Sequence, residues 1–104
     1  MQINLSPQAR FDRLTVSKSG DVLTINGIAY DFGPLPDGGT LPREAVGCDW
    51  LASDVERISG EIHLTLLLPH GSDAPEATRF PAPVTVTEDG PVALPPYDAE
   101  EADE

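Results

Sequence analysis

The chain has 104 residues, with 18 acidic against 6 basic side chains and a formal net charge of −12. Since domains centre on about 100–150 residues, this length predicts a single domain, and so acidic a surface excludes nucleic acid and anionic membranes as expected partners because it repels phosphate groups. The single cysteine excludes an internal disulfide, and the longest apolar run, over residues 64–68, is far too short to span a bilayer.

The first third of the chain predicts short strands separated by turns. Residues 2–5 alternate polar and apolar side chains, which predicts a strand that Ser6 and Pro7 end. A polar loop containing Gly20 and the later pair Asn26-Gly27 are both signals for hairpin turns. These turns separate three alternating runs that predict a meander of strands over residues 13–18, 21–26 and 28–32.

Proline and glycine keep the middle of the chain in short elements. Residues 33–39 (Gly-Pro-Leu-Pro-Asp-Gly-Gly) predict a loop, and residues 41–46 predict about one helical turn, with Pro42 tolerated near its start. Strands over residues 49–58 and 61–68 predict a second hairpin. In the latter strand every second residue is isoleucine or leucine, which indicates a central position in the sheet.

The last third is rich in loops. Residues 74–77 allow a single helical turn between flanking prolines. Two further short strands, over residues 83–87 and 91–94, flank the turn sequence Glu88-Asp89-Gly90 and predict a third hairpin.

Together these patterns predict a mostly β domain over residues 1–96. The expected architecture is a small antiparallel sandwich or barrel of about seven short strands with at most one short helix. Five of the last seven residues are acidic, so residues 97–104 predict a disordered acidic tail. Without those five acids the chain still carries a net charge of −7, so the domain is acidic in its own right.

Three side chains are candidates for chemistry: His63, His70 and Cys48. The two histidines lie seven positions apart on a strand and its following loop, whereas a zinc site needs three or four ligands around one ion. Cys48 precedes Asp49, whose carboxylate disfavours a reactive thiolate. We therefore predict structural roles, with His63 facing solvent, His70 in a turn and Cys48 buried, and we expect no catalytic residue, metal or cofactor.

Several loops and aromatic side chains are candidates for binding. Residues 17–20 (Ser-Lys-Ser-Gly) lack the upstream glycine and strand-to-helix context of a phosphate-binding loop, so they predict a hairpin turn. The loops 33–39 and 69–73 are the segments best able to carry a binding site. Tyr30 and Trp50 are candidate interface anchors, with packing in the core as the alternative.

Four stretches carry a resemblance that covers most of the chain. They are residues 2–7 (Gln-Ile-Asn-Leu-Ser-Pro), residues 41–46 (Leu-Pro-Arg-Glu-Ala-Val) with Trp50, residues 60–71, and residues 84–94. In these stretches the chain resembles a group of small proteins encoded in bacteriophage and prophage genomes near tail genes. The resemblance implies a tail-associated accessory or structural protein and implies no enzyme activity and no site residues.

Three hypotheses follow for function. The favoured one is a non-catalytic interaction or structural accessory protein, derived from a phage or prophage, that binds a phage structural protein through an edge strand and resides in the cytoplasm or in the virion. The alternative is a small acidic regulator or inhibitor of a basic protein, whose binding would weaken with salt. The third, an enzyme, requires His63, His70 or Cys48 in one cleft with a carboxylate.

Overall fold

The computed structural model describes residues 1–10, 13–71 and 76–95. Within them the chain forms two β-sheets and two single-turn helices, which confirms the predicted mostly β class. The predicted tail, residues 97–104, lies outside the described residues. The elements are β1 (Gln2–Ala9), β2 (Val16–Ser19), β3 (Val22–Ile25), β4 (Ile28–Asp31), β5 (Thr40–Leu41), α1 (Arg43–Val46), β6 (Val55–Ile58), β7 (Glu61–His70), α2 (Glu76–Arg79), β8 (Val84–Thr85) and β9 (Gly90–Pro91).

The larger sheet has the strand order β5-β6-β7-β1-β8. Because side chains alternate between the two faces of a strand, its register lines up whole rows of residues across the sheet. One row faces the core and is entirely apolar: Leu41, Val55, Leu64, Ile3 and Val84. The adjacent row lies on the opposite face and is polar: Thr40, Glu56, His63, Gln2 and Thr85.

The smaller sheet has the strand order β4-β3-β2-β9 and contains the predicted meander. The turn between β3 and β4 consists of Asn26 and Gly27, both in the left-handed region with φ of 48° and 84°. A two-residue turn of this kind matches the twist of the strands that flank it. Ile25 therefore pairs directly with Ile28, and the pairing continues along both strands.

The core lies between the inner faces of the two sheets. It is almost wholly aliphatic, with Ile3, Val55, Ile62, Leu64 and Leu66 from the larger sheet and Val16, Leu23 and Ile25 from the smaller one. Burying each such side chain contributes about 1.5–3 kcal/mol relative to leaving it exposed. That contribution depends on holding the two sheets against each other.

The first strand is longer than the sequence predicts. β1 continues past Ser6 and Pro7 to Ala9, so the prediction that these two residues end it is wrong. β8 pairs only with Gln2 and Ile3, which leaves the rest of β1 at the edge of its sheet. Proline is tolerated at such an edge because no neighbouring strand needs the amide donor that proline lacks.

One strand pair departs from the predicted antiparallel arrangement. β1 lies parallel to β7, with Ile3 opposite Leu64, whereas the other six pairs of named strands in the described residues are antiparallel. Parallel neighbours need a long crossover connection. Here that crossover contains the whole meander and β5 and β6.

The hairpin predicted around Glu88-Asp89-Gly90 does not form. β8 pairs with β1 of the larger sheet, while β9 pairs with β2 of the smaller sheet. The Val86 amide donates to the Met1 carbonyl and the Val92 amide donates to the Val16 carbonyl, both at 2.8 Å. The turn sequence is therefore a crossover between sheets, because each flank finds its backbone partner on a different strand.

The strand predicted over residues 49–58 is also interrupted, and only β6 is regular. Leu51 makes an isolated bridge to Leu66, and two side chains then replace backbone groups as hydrogen-bond partners. The Ser53 hydroxyl accepts the Thr65 amide, and the Asp54 carboxylate accepts the Arg43 amide, both at 2.9 Å. Short polar side chains that bond to nearby backbone in this way compete with a regular ladder.

Arg57 joins the two sheets from an inward position of β6. Its side chain is 12% exposed, whereas its neighbour Ile58 points outward and is 48% exposed. The guanidinium donates to the Asp21 carboxylate at 3.0 Å and to the backbone carbonyls of Phe32 and Leu35 at 3.0 Å and 2.6 Å. A buried guanidinium is stable only with its donors paired, and these partners all lie outside its own sheet.

We expect Arg57→Met to lower the free energy of unfolding by about 2–4 kcal/mol, because it removes the guanidinium hydrogen bonds to the Asp21 carboxylate and to the carbonyls of Phe32 and Leu35. Arg57→Lys keeps the charge but lacks the planar fork, so its effect should be intermediate. Arg43→Met, at an exposed position, is the matched control and should change stability by less than about 0.5 kcal/mol. Urea unfolding measures all three, and equal losses for Arg57→Met and Arg43→Met would contradict this role.

Candidate interaction site

The two histidines occupy separate places along β7. His63 lies in the outward polar row, and its Nε2 is 3.4 Å from the Glu61 carboxylate. His70 ends the strand, and its Nδ1 lies 3.0 Å from the Gly71 carbonyl. At about 3.3 Å per residue the two are about 23 Å apart along the strand. No three His, Cys, Asp or Glu side chains among the described residues are placed to hold a metal ion together.

Cys48 is buried and contacts Tyr30 of β4. The pKa of the Tyr30 hydroxyl is raised, first because it hydrogen-bonds to Cys48, and also because of burial and the nearby Asp49 carboxylate. Cys48 also lines a shallow cavity with Arg43 and Glu44, away from the outward face that carries His63. The structure therefore does not bring the thiol and the imidazoles into one cleft.

Trp50 is half-buried against the core, and the Arg10 side chain lies over one face of its indole ring. The Arg10 guanidinium carbon lies 4.4 Å from the ring centroid, within the range of a cation–π contact. Of the two predicted alternatives for Trp50, interface anchor or core packing, this position fits packing.

Of the residues 17–20 predicted as a hairpin turn, 17–19 belong to β2 and only Gly20 lies in the turn to β3. The lysine of this segment is held internally. The Lys18 ammonium lies 3.2 Å from the Asp89 carboxylate, and only 11% of the lysine side chain is exposed. The Gly20 amide donates to the same carboxylate at 2.9 Å. Asp89 thereby fastens the crossover between the sheets to the β2–β3 turn.

The predicted binding loop 33–39 is tied down by backbone hydrogen bonds. The Gly38 amide donates to the Arg57 carbonyl at 2.8 Å, and the Arg57 amide donates to the Gly39 carbonyl at 3.1 Å. Asp37 in turn accepts the Gly60 amide at 2.9 Å. In the second loop, 69–73, Pro69 and His70 belong to β7, and residues 72 and 73 lie outside the described residues.

An apolar groove of about 450 Å³ opens at one end of the two sheets. Its walls come from the start of β2, the end of β7 and the segment that follows β9. The residues that line it are Arg13, Leu14, Thr15, Val16, Leu68, Pro69, Pro91, Val92, Leu94 and Pro95. The groove holds one charged side chain and no imidazole, thiol or carboxylate in this lining.

Among the residues that the structure describes, no strand pairs with the outer edge of β4. β4 is the last strand of the smaller sheet, and it pairs with β3 on one side only. The Phe32 amide donates to the Asp21 carbonyl at 3.0 Å, so Phe32 and every second residue before it direct their backbone groups toward β3. In an antiparallel pair alternate residues bond to the neighbour, so the amide and carbonyl groups of Ala29 and Asp31 point away from the sheet.

Large apolar side chains are exposed at three positions in the described part of the chain: Ile28 (59%), Ile58 (48%) and Phe80 (75%). Of these, Ile28 begins the free edge strand and lies on the same side of its sheet as the buried Ile25. The alternation of residues 28–32 places Ile28 on an apolar face but does not distinguish it from buried positions. The sequence feature that indicates its exposure is the position of Ile28 in the last strand of the predicted meander.

No protein-family model, curated protein or solved structure matches the chain. Within the described residues, no helix has the length and apolar character needed to cross a membrane.

We expect the Asp89 carboxyl to titrate below its ordinary range of about 3.9, because its pKa is lowered by the Gly20 amide first and by Lys18 second. A lowered pKa in the folded state means that this contact stabilises the fold above the unfolded pKa and that the contribution disappears as pH falls through the folded pKa. Carbon-detected NMR titration of the side-chain carboxyl measures the midpoint.

Lys18→Met is the matched variant for this titration. It should raise the Asp89 midpoint only part of the way to its ordinary value, since the Gly20 amide remains. A midpoint at or above the ordinary value in the unsubstituted chain would contradict the role of Asp89 at the crossover.

Proposed function

We propose that this chain is a non-catalytic protein-interaction module that binds an extended segment of a protein partner along the free edge of β4. We further propose that it serves as an accessory or structural protein of a phage or prophage tail, with a phage structural protein as its partner. The first proposal is supported by the edge itself, and the second by the resemblance of the four stretches described above.

The observation that carries the interaction proposal is the combination of a free backbone edge with an exposed isoleucine. Ala29 and Asp31 offer two amides and two carbonyls to an added strand. Ile28 adds apolar area that a bound strand would cover. Strand addition uses these two elements, main-chain hydrogen bonds for affinity and alternate side chains for specificity.

The other edges in the described residues are less suited to strand addition. β5, β8 and β9 are two residues long, and the outer edge of β6 at Arg57 is bonded to residues 38 and 39. The open part of β1 contains Pro7, which lacks an amide proton. β4 has neither limitation, and it carries no lysine or proline of the kind that natural edge strands use to block pairing.

An acidic regulator of a basic protein is the second candidate. It is supported by the position of the charges, since Lys18 and Arg57 are held in internal ion pairs while most acids in the described part of the chain are exposed. Salt separates the two candidates. Binding that depends mainly on long-range charge weakens steeply as ionic strength rises. Binding along β4 keeps its hydrogen bonds and apolar contact, so high salt removes only the smaller contribution of any ion pair beside the edge.

The test is affinity capture from cells that carry the intact prophage, with the full chain as bait. Ile28→Lys adds a charge at the edge and should reduce the recovered partner by at least about tenfold. Ile58→Lys makes the same change at a similarly exposed position on the other sheet and should leave capture unchanged. Mass spectrometry identifies the partner, and circular dichroism checks that both variants fold.

Two outcomes would contradict the proposals. Equal capture by Ile28→Lys and by the unsubstituted chain would place the interaction away from β4. Recovery of partners that include no phage structural protein would remove the tail-associated role while leaving the edge interaction to be judged by the variants.

A further inference from the structure

The free edge of β4 lies in a stretch of the chain that lacks basic residues. From Ser19 to Pro42 there is no lysine or arginine, while the acids Asp21, Asp31 and Asp37 are all present. Asp21 is paired with Arg57, whereas Asp31 is exposed. The edge is therefore flanked by negative charge that no neighbour in the sequence offsets.

An acidic side chain lies on the outer face of this edge. Asp31 belongs to the outer face of the smaller sheet, since it lies opposite Val22, and its carboxylate accepts the Gly33 amide at 2.8 Å. The outward side chains of a strand added to β4 would lie beside the Asp31 carboxylate.

The large apolar side chains of the edge lie on one face only. Ile28 pairs with Ile25 and Tyr30 pairs with Leu23, so both project toward the inner side, whereas Ala29 and Asp31 project outward. A strand bound next to β4 continues the same alternation. Its inward side chains would cover Ile28, and its outward side chains would lie beside Ala29 and Asp31.

A second copy of this chain is a poor occupant. Each chain carries a net charge of −12, so two copies repel each other. Pairing β4 with another β4 would also add the exposed Asp31 of the second copy to an edge that is already acidic. Charge complementarity favours a partner of opposite sign.

We propose that the segment bound by β4 is an extended strand of alternating apolar and basic residues. Its apolar side chains pack beside Ile28 on the inner face, and its lysine or arginine side chains lie beside Asp31 on the outer face. This inference rests on the proposed function and specifies the chemistry of the partner at that site.

The test uses the full chain and a capped nine-residue peptide of alternating valine and lysine. Two matched peptides carry glutamate in place of lysine, or proline in place of the central valine. Hydrogen exchange measured by NMR reports on the outward amides of Ala29 and Asp31, which a bound strand protects. We expect the valine–lysine peptide at saturation to slow exchange at these two amides by at least about tenfold, and neither matched peptide to do so.

A side-chain variant tests the charge preference. Asp31→Asn removes the charge but retains an oxygen for the Gly33 amide, and it should weaken binding of the valine–lysine peptide by about two- to fivefold at low salt, the effect of one exposed ion pair. Glu76→Gln removes an exposed charge on α2 and should leave the affinity unchanged. An equal effect of both variants would overturn the assignment of Asp31.

The outcomes separate this inference from the proposed function. Slowed exchange with both the lysine and the glutamate peptides would retain the edge as a binding site but overturn the basic preference. No slowing with the lysine peptide would overturn the inference, while capture with Ile28→Lys still decides the interaction role. Slowing that appears as the concentration of the chain alone rises would identify a second copy as the occupant and overturn it as well.

Discussion

The contact between the two sheets depends on the largely buried guanidinium of Arg57. Arg57 lies where the alternation of β6 calls for an inward apolar residue, and its guanidinium reaches Asp21 and two backbone carbonyls beyond its own sheet. An aliphatic core alone holds sheets together without specifying their relative position, because apolar contacts are non-directional. The directional bonds of Arg57 fix which part of the meander lies over β6.

The same interaction determines where the chain goes after β4. The carbonyls of Phe32 and Leu35 bond to Arg57, and Gly38 pairs with the backbone of the same residue. Residues 33–39 are thereby drawn toward β6 and away from the outer edge of β4. The segment that follows β4 bonds to β6 and does not cover the edge of β4. The hydrogen bonds of Arg57 therefore account both for the contact between the sheets and for the open edge.

Charge is distributed in a way that fits an interaction surface. The lysine and arginine that make internal ion pairs, Lys18 and Arg57, secure the crossover and the sheet-to-sheet contact. The exposed carboxylate of Asp31 lies on the outer face of β4. In the proposed mode of binding, the same negative charge would oppose pairing between identical copies and favour a basic segment.

The sequence by itself determined the mostly β class, the three-stranded meander and the acidic character of the chain. These follow from short-range rules: period-two apolar residues define strands, and pairs such as Asn26-Gly27 define turns. It also indicated Cys48 as a buried side chain and His63 as a residue outside the core. Each of these properties depends on residues close together in the chain.

Only the tertiary structure decided the parallel pairing of β1 with β7, the crossover at residues 86–92 and the inward position of Arg57. Alternation tells which residues of a strand share a face, but it does not tell which strand lies beside it or which face is covered. Ile28 and Leu23 follow the same apolar pattern, yet one is 59% exposed and the other fully buried. The difference arises because Leu23 lies in an inner strand beneath the other sheet, whereas Ile28 begins the strand at the edge.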